Sequence, residues 1–165
     1  MPEIVPLARI DPAEVEALLD RAFEPERRQR TAYKVRGDAA ALPDLSFAAR
    51  DGDALAGTVQ CWPVRFVPDD GAAVPLVMVG PVAVAPDRQR GGLGRQLMER
   101  ALAAAAATGA DDGMVLIGDP EYYGRFFGFD AVRTAGWRLP GPVECHRLLA
   151  RGARVRDAAG ALGPA

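Results

Sequence analysis

Two spacings of apolar residues recur along the chain, one of helices and one of strands. Residues 3–10 read as a short strand. Asp11-Pro12-Ala13-Glu14 then carries the marks of a helix start, with an N-cap carboxylate, proline at the first helical position and an acid in the first turn. Val15, Leu18, Leu19 and Ala22 follow at helical spacing, which predicts one buried stripe. The polar stretch 24–36 predicts a second, less apolar helix. Residues 45–50 and 54–67 read as strands joined at Asp51-Gly52-Asp53, a tight-turn signal. Residues 74–85 form an almost unbroken apolar run, which predicts a strand covered on both faces. Pro81 lies inside it and has no amide for a ladder hydrogen bond, so the strand should break or splay there.

A strong helix is predicted over 92–108, with Leu93, Leu97, Ala101 and Ala104 inward, Arg95, Glu99 and Arg100 outward, and Gly109 as its C-terminal stop. A short buried strand over 113–117 and an aromatic-rich helix over 120–127 come next. Residues 129–134 and 144–150 read as closing strands, and 151–165 as a fraying tail with little to pack. The order describes one α/β layered domain over 1–150 and a C-terminal tail over 151–165. No repeat or linker divides it.

Length and composition narrow the function. With 165 residues, 49% of them apolar and 25% charged, the chain can bury a core of ordinary size. A net charge of −2 supplies no basic field for nucleic acid. The cations are 19 Arg and one Lys, Lys34, among much Ala, Gly and Pro, which reads as compositional bias rather than as a binding signal. Cys61 and Cys145 are too few for a disulfide framework and read as buried, reduced thiols. One histidine, His146, and two scattered cysteines argue against a metal site. No secretory leader is visible at the N-terminus, and no run reaches the ~18 apolar residues of a membrane span. A cytoplasmic location is the expectation, with no membrane partner.

The richest chemistry lies at the turn Pro86-Asp87-Arg88-Gln89-Arg90-Gly91-Gly92-Leu93-Gly94. The first amides of a helix lack intrahelical partners, and the helix dipole makes that end partly positive. Three glycines clear the approach of a pyrophosphate to those amides, and Arg88, Gln89 and Arg90 add donors at its mouth. The common alternatives fail on residues. A Walker loop requires a Lys that is absent. The dinucleotide pattern counted from Gly92 meets Leu97 where Gly or Ala is required, and it belongs in a first strand–helix turn.

Gln89-Arg90-Gly91-Gly92-Leu93-Gly94 resembles the acyl-CoA signature Gln/Arg-x-x-Gly-x-Gly/Ala of the GNAT N-acetyltransferase superfamily. Val82-Ala83-Val84-Ala85 ahead of it looks like that family's central strand. Gly118-Asp119-Pro120-Glu121-Tyr122-Tyr123-Gly124-Arg125-Phe126-Phe127-Gly128-Phe129 resembles the second GNAT signature, at a distance of one helix, one strand and one short helix. The resemblance spans about residues 3–150 and resembles most a bacterial subgroup of predicted N-acetyltransferases. It implies an α/β (α+β layered) fold with a mixed, mostly antiparallel central sheet, splayed at the CoA site, and helices on both faces.

It also implies acetyl-CoA as cosubstrate, contacted by Val82, Ala83, Val84, Arg88, Gln89, Arg90, Gly91, Gly92, Leu93, Gly94, Arg95 and Tyr123. A tyrosine of the short helix would protonate the departing thiolate, Tyr123 first and Tyr122 second. A phenol of pKa ~10 is close to an alkyl thiol, so the transfer is nearly balanced. The amine would attack directly, which needs no covalent enzyme intermediate, and His146 stays outside the chemistry. The general base is unassigned; Asp119 and Glu121 stand nearest the tyrosines in sequence, where helix capping or a solvated surface explains them better. The acceptor is a small-molecule or peptide amine. Arg27, Arg28, Arg30, Lys34 and Arg36 would favour an acidic one if they lined its pocket, though a solvated helix face accounts for them more simply. A homodimer is compatible with this reading. A non-catalytic acyl-CoA sensor, or transfer of a longer acyl group, would use the same turn.

Overall fold

A computed structural model describes residues 2–165. The Asp11 carboxylate accepts a hydrogen bond from the Ala13 amide at 3.0 Å, and α1 (Pro12–Ala22) runs on from that cap with Val15, Leu18 and Leu19 buried. It follows β1 (Glu3–Pro6), shorter than the predicted strand because Leu7–Arg9 turn into a 3-10 helix. The polar stretch after α1 gives only a 3-10 turn and the six-residue α2 (Thr31–Arg36). β2 (Phe47–Asp51) and β3 (Ala54–Pro68) flank the predicted turn, where Gly52 takes φ +62°. β4 (Val74–Val84), α3 (Leu93–Thr108), β5 (Met114–Ile117) and α4 (Pro120–Phe127) follow closely where the periodicities put them.

The C-terminal fifth departs from expectation. Residues 129–134 make no strand: Asp130 exchanges two backbone hydrogen bonds with Ala150, and Val132 is 74% exposed. The ladder continues instead through β6 (Trp137–Arg138) and β7 (Leu148–Arg151), with a 3-10 turn at Cys145–Arg147 before β7. The tail does not fray. β8 (Gly160–Pro164) lies between β3 and β6, its Leu162 opposite Phe66 and its Gly160 opposite both Pro68 and Trp137. Gly160 is required there, since a Cβ would stand 2.5 Å from the Phe66 ring and from the Val67 carbonyl. Cys61 is buried, as expected, and burial pushes its thiol up to about 12; Cys145 is exposed, against expectation.

The sheet has eight strands, with β1-β2-β3-β4-β5-β7 in order and β8 joined to β3 and β6. Only β4–β5 and β6–β8 are parallel. Alternate side chains feed opposite faces. Phe47, Ala49, Met114, Leu116 and Leu149 pack with Leu93, Leu97, Met98 and Ala101 of α3. On the other face, Ala48, Leu55 and Ala83 meet α1, while Trp62, Val64, Leu76, Met78 and Val115 meet Val35 of α2. Helices therefore cover both faces.

One irregularity positions the site. Val59 pairs with Val82 and Cys61 with Val79, so Gly80 and Pro81 together face the single residue Gln60. Two residues against one is a β-bulge, and it inverts the side-chain phase of the strand. Val77 and Val79 point toward α3 before it; Val82 and Val84 do so after it.

Candidate active site

The parallel pairing of β4 with β5 extends only over Val77–Met114 and Met78–Val115. Beyond it, β5 continues with β7 alone, through Leu116–Leu149 and Ile117–Leu148. β4 meanwhile continues with β3, through Val84–Gly57. The two strands have parted, and the residues past the bulge face a gap instead of a neighbour. Pro81, with no amide to offer, sits where the separation begins.

The gap opens into two joined cavities. One, of about 440 Å³, runs between β4, the start of α3 and α4, lined by Val82, Val84, Gln89, Gly92, Gly94, Arg95, Met98, Tyr122, Tyr123 and Phe126. Gly92 is the N-cap of α3 and holds φ +73°, a left-handed conformation that L side chains adopt at a cost. A Cβ on Gly94 would come within 3.6 Å of Val84 Cγ2 and 3.8 Å of Val82 Cγ1, at the floor of the groove. A Cβ on Gly91 would meet nothing within 4 Å. The first turn of α3 is thus bared toward the groove.

Most of the residues expected from sequence meet here, though not all. Arg88, Arg90, Gly91 and Leu93 border an adjoining depression at the outer side of the turn. Arg88 is held by Asp51, whose carboxyl that hydrogen bond keeps below the usual carboxylate range. Arg95 is tied to Glu99 at 3.0 Å and stacks on the Phe126 ring at 4.3 Å. Leu93 is 5% exposed in the core and Ala83 is buried against α1, so each presents at most its backbone to the groove.

Tyr123 stands where the two cavities join. Asp119 caps α4 through the Glu121 amide at 3.1 Å, with Pro120 at the first turn, and Gly128 closes the helix at φ +73°. The ring of Tyr123 lies edge-on to Tyr122 at 5.0 Å and also near Phe127 and Phe129. It leans over Gly118, where a Cβ would stand 2.5 Å from its Cε2. Burial raises its pKa above that of an ordinary phenol; Tyr122 and Asp119 add to the rise and Arg147 opposes it. Tyr122 is raised too, by its own burial, with Arg95 opposing and Glu99 assisting. Of the pair, Tyr123 alone lines both cavities.

The chain matches the model of the acetyltransferase (GNAT) domain over residues 3–132. It belongs to the GNAT acetyltransferase family. Among solved structures, this GNAT chain is similar to the family member YhbS of Escherichia coli in complex with CoA, at 24% identity and TM-score 0.76. That match covers 99% of this chain and 89% of the other. A GNAT acetyltransferase of Brucella melitensis in complex with acetyl-CoA is 26% identical at TM-score 0.56, covering 93% and 97%. An acyl-CoA N-acyltransferase of Pseudomonas aeruginosa is 25% identical at TM-score 0.55, covering 92% and 98%. Compared with curated proteins, the sequence matches none significantly.

The second cavity of this GNAT domain, about 240 Å³, is the part that sequence left dark. Phe23, Arg30, Tyr33, Arg36, Met78, Gly80, Pro81, Ile117, Gly118, Asp119, Tyr123 and Arg147 are among its walls. They come from five separate stretches of chain; the sequence singled out Pro81, Asp119, Tyr123 and the arginine-rich stretch one by one, but nothing in linear order brought them to one cavity. Of that stretch, Arg27 is 2% exposed and structural: it binds Glu16, Asp20 and the Tyr33 hydroxyl. Arg28 is paired with Glu16, and Lys34 is exposed. Arg30 and Arg36 reach the cavity. Among the described residues no helix is long and apolar enough to cross a membrane.

Proposed function

We propose that this GNAT acyltransferase moves an acetyl group from acetyl-CoA to a primary amine by direct attack. The observation that carries the reading is the parted β4–β5 pair, with a glycine-cleared helix N-terminus at one end and a buried tyrosine at the other. The site fits a CoA thioester on its own geometry. Gly94 leaves the groove floor open where a side chain would fill it, and past the bulge the edge of β4 that faces β5 has no strand partner, which leaves it to pair with an amide-bearing arm. The similarity to the Brucella melitensis protein bound to acetyl-CoA supports the same donor.

In this reading the first amides of α3, with Gln89, Arg90 and Arg88 at the rim, hold the pyrophosphate. Val82, Ala83 and Val84 offer backbone to the pantetheine arm. Leu93 anchors the turn from the core, and Arg95, stacked on Phe126, forms the outer wall. The neutral amine attacks the thioester carbonyl; a C–N bond forms and the C–S bond breaks. A backbone amide near Val82 steadies the negative charge developing on the carbonyl oxygen. Tyr123 gives its proton to the leaving thiolate, and the extra proton on nitrogen passes to water, which restores the phenol. Burial suits Tyr123 to this work, because it keeps the phenol protonated until needed.

Calorimetric titration with acetyl-CoA is the test, followed by amine-dependent release of the CoA thiol. Binding in the roughly 1 μM–1 mM range of ordinary enzyme substrates is expected. Gly94→Leu should weaken it about 100-fold by filling the groove, while thermal unfolding stays near wild type. Absence of acetyl-CoA binding to the wild-type protein would end the reading.

A further inference from the structure

Arg36 takes no part in the transfer step, yet it is built into the wall of the smaller cavity with unusual care. Its guanidinium is sandwiched between the Tyr33 and Trp62 rings, 3.8 Å from each centroid. Both rings are fixed from behind. The Tyr33 hydroxyl accepts from Arg27 Nη1 at 2.6 Å, and Arg27 is itself locked by Asp20 and Glu16. Trp62 Nε1 donates to the Gly80 carbonyl at 2.5 Å, at the bulge of β4. Stacking occupies the two faces of the guanidinium plane and leaves its edge, where the N–H donors lie, for a planar anion.

No carboxylate among the described residues pairs with that edge, although acids neutralise Arg27, Arg28 and Arg30 in the same stretch of chain. A half-buried cation with no carboxylate in contact is costly, and burial lowers the pKa of Arg36, with Tyr33 and the more distant Glu16 opposing. Arg147, on the same cavity, also lacks a carboxylate partner among the described residues. The one acid in the lining is Asp119, next to Tyr123 along α4. The cavity therefore presents an acid on the side of the reacting tyrosine and unpaired guanidinium elsewhere. Its volume of about 240 Å³ lies below the ~300 Å³ at which sites for drug-sized ligands begin.

We propose that the acceptor is an amine of amino-acid size that also carries a carboxylate, and that the edge of Arg36 grips this carboxylate and sets the specificity. The assignment rests on the acyl-transfer reading of the same site. Arg147 adds a second cationic contact, and Asp119 draws the ammonium end toward Tyr123 before it loses its proton.

The test compares amino acids with their decarboxylated partners, phenylalanine with phenethylamine, histidine with histamine and lysine with 1,5-diaminopentane, at saturating acetyl-CoA. In at least one pair the carboxylate member should lead tenfold or more in kcat/KM. Arg36→Met should cut its kcat/KM about 10- to 100-fold, mainly through KM, since bonds to charged groups are among the stronger ones. The decarboxylated partner and the affinity for acetyl-CoA should be unmoved. Equal or better use of the decarboxylated amine in every pair overturns the assignment without any variant. So does an Arg36→Met protein that binds acetyl-CoA normally and keeps the wild-type ratio, or one that loses acetyl-CoA instead. If no pair is turned over, N-acetyl amino acids and their primary amides are titrated into the CoA-saturated protein. Binding of the acids alone upholds the proposal, and binding of neither, or of both equally, overturns it. Failure to bind acetyl-CoA at all strikes the acyl-transfer reading instead, so the two failures are told apart.

Discussion

The two ends of the groove are made in different ways. At the proposed donor end, one continuous segment from Val82 to Arg95 supplies strand, turn and helix start, and the proposed function rests on backbone amides and on missing side chains. At the proposed acceptor end, walls from α2, β4, β5, α4 and the turn before β7 converge, and the proposed function rests on side chains held in place by other side chains. The first construction is sensitive to added bulk and to φ angles. The second is sensitive to the removal of single functional groups. Steric change should therefore dominate at one end and chemical change at the other, with Tyr123, common to both cavities, sensitive to each.

The largest effect is expected at that shared residue. Tyr123→Phe removes the proposed proton donor and should lower kcat by roughly 10²- to 10⁴-fold, the span of general acid catalysis, with acetyl-CoA affinity little changed. A larger loss in Tyr122→Phe would transfer the role to the neighbour. The pH profile sharpens the assignment. Burial raises the Tyr123 pKa, so the acid stays protonated at neutral pH and activity is lost only as pH rises through a value above the usual ~10. Tyr123→Phe should abolish that alkaline limb.

Next in size is Gly118→Ala. The new methyl would press on the Tyr123 ring and cost about 1–3 kcal/mol of stability as overpacking, seen in a lowered Tm and a reduced kcat. An unchanged Tm and kcat would mean that the ring has room to move. The smallest effect separates adjacent glycines at the donor end. Gly92→Ala forces a side chain onto φ +73° and should cost about 1–2 kcal/mol, whereas Gly91→Ala, with nothing near its Cβ, should stay within ~0.5 kcal/mol. Equal costs would refute the difference between the two turn positions.

The same division explains what could be read from the chain. Asp11-Pro12, Asp51-Gly52-Asp53, the three glycines before and inside α3, and Asp119-Pro120 each act on residues a few positions away, so their signals survive in linear order. The GNAT signatures lie among them, and the fold follows from their order. Arg36 gave a signal only as one of several arginines, because what distinguishes it from Arg27 or Arg28 is Trp62 on a distant strand. β8 escaped notice for a related reason. Gly160-Ala161-Leu162-Gly163-Pro164 has little strand character of its own, and its place is made by Phe66, Val67 and Trp137. Residues 129–134 erred in the other direction: Phe129 and Thr134 are buried, but a single bridge at Asp130 is all the pairing that segment finds.

The bulge at Gly80-Pro81 has one further meaning, and it concerns deletion rather than substitution. Because two residues there oppose one, the strand downstream keeps a parity opposite to the strand upstream. Removing either residue would leave one residue opposite Gln60 and keep Val82 against Val59, so alternation would become regular with the facing of the downstream strand unchanged. Val82 and Val84 would go on looking toward α3 and Ala83 toward α1, while the extra residue that bends β4 away from its neighbour would be gone. A loss of three atoms' length at position 80 or 81 would thus flatten β4 beside the groove while sparing the division between inside and outside, and a single insertion elsewhere in the strand would do the opposite.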